Sequence, residues 1–306
     1  MCIKCGYHLK DYDHSADLSD NLSLSVLGSN QDLANYLSSG FWEDSGTVPR
    51  KFNLSDSGIN PKNGIITYNT NGNIFDNNGI TKEREFLVDE AFKILEASMG
   101  FDFQKITQKA DINFGDKYTN SAFAFADGRS YSLGLDFVNI NIGSNWNMGR
   151  SNLGDYTFQT ILHEIGHSLG LGHLGSYNGS GNYSDDSIFI NDSWQSSIMS
   201  YFSQTQNTST NASFAFLSSY MNADWTALDN IYSSEGFSTA NAFAGDTTYG
   251  FNTNITQSKS VIYSGMSNWI SNNAFTIVDG SGIDTVDFSG FTSDQLIDLR
   301  ETDPNS

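Results

Sequence analysis

The sequence predicts an α+β protein, on three observations. Short strand patterns bounded by Gly and Asn gather over residues 64–71 and 110–143. Two helical patterns flank the second group, over 81–100 and 156–170. Beyond residue 240 the texture changes to short strand pieces separated by Gly and Asp, which places a domain boundary there.

Taken in order, the first 30 residues are polar and without periodicity, a leader rather than a packed element. "QDLANYLSSGFW" predicts a short amphipathic helix ending near Gly40. "GIITYNTN" has strand character. "TKEREFLVDEAFKILEASMG" follows, with Thr81 as N-cap, Gly100 as stop, and Leu87, Ala91, Ile94, Leu95 and Ser98 on one face. "ADINFG", "SAFAFA" and "FVNINIG" read as strands, and "YTFQTILHEIGHSLGLG" as a helix stopped by Gly170 and Gly172. A Gly/Asn/Ser/Asp loop over 175–197 leads to "SIMSYF", and a further helix is expected over 221–236. The resulting division is a leader with the first helix over 1–44, a main domain over 45–240, and a third piece over 241–306.

The 306 residues include 35 acidic and 15 basic side chains, for a net charge of −20. Such a chain is repelled by nucleic acid and anionic membranes, which excludes both as partners. The acidity fits either solubility or the binding of hard cations such as calcium, and composition does not choose between them. No apolar run approaches the roughly 20 residues of a membrane span, and no apolar secretory core opens the chain. Cys2 and Cys5 are the only cysteines, so a disulfide framework is excluded.

Three of the five histidines fall in "HEIGHSLGLGH". On a helix His163 and His167 share one face, and Gly170 lets the chain turn so that His173 returns as a third ligand. Three neutral imidazoles suit zinc and leave a position for water, with Glu164 beside it as general base. An isolated HExxH could be incidental; the six specified positions of H-E-x-x-H-x-x-G-x-x-H leave that reading little weight. Met199 in "SIMSY" is the expected Met-turn, a hydrophobic floor beneath the ligands.

These motifs resemble those of the serralysins, bacterial zinc endopeptidases among the metzincins. "HEIGHSLGLGH", "SIMSYF" and the Asn-rich connection between them carry the resemblance. It implies a metzincin catalytic domain, a twisted and mostly parallel sheet with the active-site helix, followed by the start of a calcium-binding parallel β-roll or β-sandwich domain. It implies Zn²⁺ on His163, His167 and His173, with Glu164 as base. Tyr201 would be a movable further zinc ligand that stabilises the oxyanion; matrixins lack a tyrosine there. Leu174 departs from the proline usual in serralysins and puts the exit path of the loop in doubt.

By the same resemblance, the strand Ala122, Phe123, Ala124, Phe125 and Ala126 is an edge that pairs with extended substrate. "DGSGIDTVD" is a degenerate match to the calcium repeat of β-rolls. Asp279 and Asp284 would then give carboxylates to Ca²⁺, and Gly245, Thr247 and Ser281 carbonyls; the sequence reaches Ser306 before the tandem repeats that complete such a roll, as expected of either a truncated chain or a shortened second domain. The implied partners are protein or peptide substrates and a proteinaceous inhibitor, with a monomeric, extracellular bacterial protein exported without an N-terminal signal. Cys2 and Cys5, near His8 and His14, fit no standard zinc spacing. They are a disordered leader by default, and otherwise a latency device in which a thiolate reaches the zinc, as in matrixins. The competing class is a non-catalytic calcium-binding surface or matrix protein on a metzincin scaffold. Loss of the glutamate or a histidine would favour it, and none is lost.

Overall fold

The computed structural model describes residues 26–127 and 134–292. Cys2, Cys5, His8 and His14 lie outside the described residues. Ser29 caps α1 (Asn30–Asn35). Its hydroxyl accepts the Asp32 amide at 3.2 Å while the Asp32 carboxylate accepts the Ser29 amide at 2.9 Å, a reciprocal box. The helical path does not stop at Gly40. It widens into a π turn over Tyr36–Gly40 and continues as α2 (Phe41–Asp44). Gly40 keeps right-handed helical dihedrals, φ −57° and ψ −44°. The added turn buries Phe41 and Trp42, a gain of roughly 2 kcal/mol or more per side chain that outweighs the weak helix-stopping tendency of one glycine.

The central sheet has five strands in the order β2-β1-β3-β5-β4, formed by β1 (Ile65–Asn69), β2 (Asp102–Lys105), β3 (Ile112–Gly115), β4 (Ala122–Asp127) and β5 (Phe137–Ile142). All pairs are parallel except β4–β5. The alternation read in "SAFAFA" sorts its side chains by face. Ala122, Ala124 and Ala126 stand opposite Ile142, Ile140 and Val138 and turn toward the core. Phe123 and Phe125 are half-buried on the other face.

Two helices complete this core. α3 (Lys82–Met99) begins at Thr81, whose hydroxyl accepts the Arg84 amide at 3.4 Å, and ends at Gly100 with φ +77°. Its predicted face is fully buried: Leu87, Ala91, Ile94, Leu95 and Ser98 are each 0% exposed. α4 (Tyr156–Ser168) starts at Asp155, whose carboxylate accepts the amides of Thr157 and Phe158. It lies against β4 and β5 and buries Phe158, Ile161, Leu162 and Ile165.

α5 (Tyr183–Asp186) sits in the long loop. It is followed by β6 (Phe216–Leu217) and by α6 (Asn222–Tyr232), which extends as a 3₁₀ turn through Glu235. Farther on, β6 pairs in parallel with β8 (Asn273–Ala274), and β7 (Thr248–Gly250) with β9 (Thr285–Asp287). The β7–β9 pair is the start of a parallel β-roll-type piece. Phe243, Tyr249, Ile262 and Tyr263 from this part of the chain share one hydrophobic core with the sheet and helices.

No described helix is long and apolar enough to cross a membrane.

Candidate metal centre

α4 carries His163 and His167 one turn apart, with Glu164 next to His163, and all three are fully or nearly fully buried. The chain then reverses at Gly170, whose φ is +108°; a Cβ there would come within 2.3 Å of the Arg50 carbonyl oxygen, so only glycine fits. The exposed carbonyls of the helix end are taken by Tyr232 Oη, which donates to Leu169 O at 2.9 Å, and by Trp42 Nε1, which donates to Gly170 O at 2.9 Å. Gly172 donates its amide to Leu37 O at 2.7 Å. His173, completely buried, thereby returns to the helix. Leu174 is also 0% exposed, so packing against the core fixes the exit path where proline was expected.

The ligand nitrogens of the three histidines all lie within 4.8 Å of one another. Backbone carbonyls set two of the tautomers. His163 Nδ1 lies 2.9 Å from Ile198 O and His167 Nδ1 lies 2.8 Å from Leu171 O, so each Nδ1 carries the proton and each Nε2 the lone pair. His163 Nε2 is buried without a protein partner, and His167 Nε2 faces His173 Nε2 at 3.0 Å. Three imidazoles on one tetrahedral zinc, at about 2.0–2.1 Å each, hold their nitrogens roughly 3.3 Å apart. The donor set and its orphaned lone pair therefore fit such a cation.

Burial pushes His163 down to about 4, against the upward pull of the Ile198 carbonyl. His167 and His173 are held well below the ordinary value, first by burial and then by neighbouring imidazoles. All three rings are thus neutral and ready to ligate at neutral pH. In the metal-free chain, ring ¹⁵N shifts of His163 and His167 are expected to report the Nδ1–H tautomer at pH 7. The imidazolium of His163 should appear only on acidification toward about pH 4; a His163 titration near 6.5 would contradict the geometry.

Met199 is fully buried, and its sulfur packs on the backbone of Gly166, where a Cβ would meet it at 2.8 Å. The residue expected to form the floor thus packs on α4 between the two helical histidines. Tyr201 packs its ring 4.5 Å from that of His173, and its hydroxyl accepts the Gly179 amide at 3.0 Å.

Two hollows flank the histidines. One, of about 250 Å³, is lined by Glu164, His163, Tyr201, Trp146 and Trp194. The other, of about 70 Å³, is lined by His167, Trp42 and the strand residues Ala124, Phe125 and Ala126. β4 is an outer strand of the described sheet, and its residues Ala124 to Ala126 run along this second hollow.

The residues read as calcium ligands are brought together, but by protein hydrogen bonds. Gly245 donates its amide to Ser281 O at 2.8 Å, Thr247 its amide to Asp284 Oδ1 at 2.9 Å, and Tyr249 Oη donates to Asp279 Oδ2 at 2.6 Å. Among the described residues, the three histidines are the one group of three or more His, Cys, Asp or Glu able to share an ion.

Sequence reasoning missed the side chains that hold the site in shape. Asp224, on α6 and fully buried, accepts Ser197 Oγ at 2.6 Å and the amides of Ile198 and Met221 at 2.8 Å each. It fixes the same Ile198 whose carbonyl sets His163. Burial raises its carboxyl to about 7, with those hydrogen bonds pulling the other way. Arg84, 1% exposed, donates to the carbonyls of Ile142, Gly143, Ser144 and Trp146, so α3 shapes the loop that presents Trp146 to the larger hollow. Asp224→Ala strands three buried donors and is expected to lower unfolding free energy by roughly 3 kcal/mol or more in urea melts of the metal-free chain. A loss under 1 kcal/mol would mean that Asp224 is not the anchor of this turn.

A mostly parallel sheet over a helix bearing the extended histidine motif, with Met199 packed on that helix at Gly166, is the arrangement expected of a metzincin. Comparison with known proteins agrees and narrows the class. Residues 61–179 match the family model described as Matrixin, and residues 238–304 the model described as Peptidase M10 serralysin C terminal. The chain is 41% identical over 155 residues to the Metallopeptidase AprA of Pseudomonas marginalis, covering 49% of this chain and 31% of that one. It is 37% identical over 204 residues to the Metalloprotease AprA of Pseudomonas entomophila (62% and 39%) and 36% identical over 200 residues to a Serralysin of Proteus mirabilis (63% and 39%). In the two matched segments and against these relatives, the chain is similar to serralysin-type metalloproteases. It spans about a third to two-fifths of the length of the relatives it matches.

Proposed function

We propose that the chain is a zinc-dependent endopeptidase that hydrolyses internal peptide bonds of extracellular proteins. One observation carries this reading: a buried group of three neutral imidazoles, two with their lone pairs set by backbone carbonyls, adjoining a hollow that Glu164 lines. His163, His167 and His173 would hold the metal. A zinc ion there supplies Lewis acidity toward water and the scissile carbonyl. Glu164, next to His163 on the helix, takes a proton from the attacking water and returns it to the departing amine nitrogen. Tyr201 offers its hydroxyl to the developing oxyanion, which requires it to leave the Gly179 amide.

The outer strand β4, Ala122 to Ala126, pairs with the substrate backbone and lays it across the two hollows on either side of the histidines. Such pairing needs an extended, locally unfolded segment, so the substrate class is protein or peptide. Calcium on Asp279, Asp284 and the carbonyls of Gly245, Thr247 and Ser281 remains part of the proposal through the serralysin C-terminal match. Export from a bacterial cell, a monomeric state and a proteinaceous inhibitor rest on the same likeness.

Incubation of the zinc-loaded full chain with casein is expected to give peptides with new internal α-amino termini, and none in the presence of a chelator. A zinc-loaded protein inert toward every unfolded substrate would favour a non-catalytic binding protein on this scaffold.

A further inference from the structure

Tyr201 stands at a crossing of two loops, and a buried carboxylate that the proposed chemistry does not use lies behind it. Asp192 is 0% exposed. Its two oxygens each lie 3.1 Å from Tyr177 Oη, and Oδ1 also accepts Ser200 Oγ at 2.6 Å. Tyr177 gives its one hydroxyl proton to Asp192, and its oxygen accepts the Tyr201 amide at 3.3 Å. Ser200 likewise gives its proton to Asp192, and its oxygen accepts the Phe202 amide at 3.1 Å. A single carboxylate therefore orients two hydroxyls that hold the backbone on each side of Tyr201. Asn207 Nδ2 in turn donates to the carbonyls of Asp192 and Ile190 at 2.9 Å each, which fixes the carboxylate's own backbone.

The rings repeat this arrangement. Tyr177 packs 4.6 Å from Tyr201 and 5.0 Å from Phe202, and Tyr183 packs 5.6 Å from Phe202. These residues form a small cluster apart from the main core. Tyr177 belongs to the loop that follows His173, as does Gly179, whose amide holds the Tyr201 hydroxyl. The loop leaving the third histidine thus grips Tyr201 at its backbone and at its tip. Burying a charge costs free energy that an apolar residue of similar volume would not, so packing alone does not account for an aspartate here.

We infer that Asp192, acting through Tyr177 and Ser200, is a positioning residue that sets where Tyr201 stands beside the histidines. Asp192 stands outside the three-histidine group and lines neither of the two hollows. The hydroxyl of Tyr201 can exchange the Gly179 amide for another partner while its backbone stays fixed. The inference rests on the proposed role of Tyr201 for its kinetic consequence, and on geometry alone for its structural one.

The test uses the full chain with Asp192→Asn, Tyr177→Phe and Tyr201→Phe, singly and in pairs. kcat and KM are read on a fluorogenic peptide with zinc bound, and amide hydrogen exchange in the metal-free protein. Asp192→Asn and Tyr177→Phe are expected to lower kcat roughly 10–100-fold with KM and zinc equivalents unchanged. Neither should lower kcat further in a Tyr201→Phe background. Exchange at the Tyr201 amide should quicken while that of α4 does not. Kinetic effects that multiply with Tyr201→Phe, or exchange that rises equally through α4, would overturn the inference. Tyr177→Phe keeps the buried ring and serves where Asp192→Asn does not fold. If Tyr201→Phe alone leaves kcat intact, the proposed oxyanion role fails instead. The exchange measurement then decides by itself whether Asp192 holds the turn.

Discussion

Glu164→Gln is expected to lower kcat/KM by about 10²–10⁴-fold, the range a positioned general base contributes. The amide keeps the shape of the side chain but cannot take the proton from water, so the loss should fall on kcat and leave zinc content unchanged. Glu164 is completely buried and lines the larger hollow beside His163. A melt of the metal-free variant checks that the fold is kept. Steady-state kinetics on a peptide, metal analysis and a melt on one preparation separate these effects. A variant that keeps full activity would remove Glu164 from the chemistry. One that loses zinc along with activity would make it a structural support for the ligands.

The second large effect is expected from His167→Ala. His167 Nε2 faces His173 Nε2 at 3.0 Å, so its loss removes one of the three nitrogens that converge. Zinc should fall from one equivalent to none, and activity with it. Stability should respond through linkage: zinc at about a thousand times its dissociation constant adds roughly 4 kcal/mol to the folded state. A chelator should therefore lower the melting temperature of the parent chain and leave that of His167→Ala unmoved. An equal drop in both would mean that the chelator strips a different ion, with the residues around Asp279 and Asp284 the first place to look.

The three histidines that the structure brings together, with Glu164 beside the first, were legible because one helix and the turn after it hold them at short intervals of the chain. A helix places i and i+4 on one face, and Gly170 supplies the φ of +108° needed to reverse direction. Thr81 and Gly100 likewise mark the ends of α3 through local capping. The end of the first helix was misread at Gly40 because glycine's preference there is weak and the burial of Phe41 and Trp42 is decided by the rest of the fold. Asp224 and Asp192 left no local mark. Asp224 reaches Ser197 and Ile198 from a different element, and Asp192 is recognisable only once Tyr177 and Ser200 have been folded over it. Arg84 falls on the same helical stripe as Leu87 and Ala91, yet spacing does not reveal the four carbonyls about 60 residues away against which it is buried. Side chains that organise a site across long sequence separations carry no spacing rule, whereas those that converge from one helix and the turn after it do.

The central claim, that one zinc on three imidazoles makes this chain a peptidase, is tested most directly by titrating the metal-free full chain with zinc while following casein cleavage. Cleavage should rise in proportion to added zinc and break at one equivalent per chain. Cleavage that persists in the metal-free chain, or one equivalent of zinc bound with no cleavage, would contradict it.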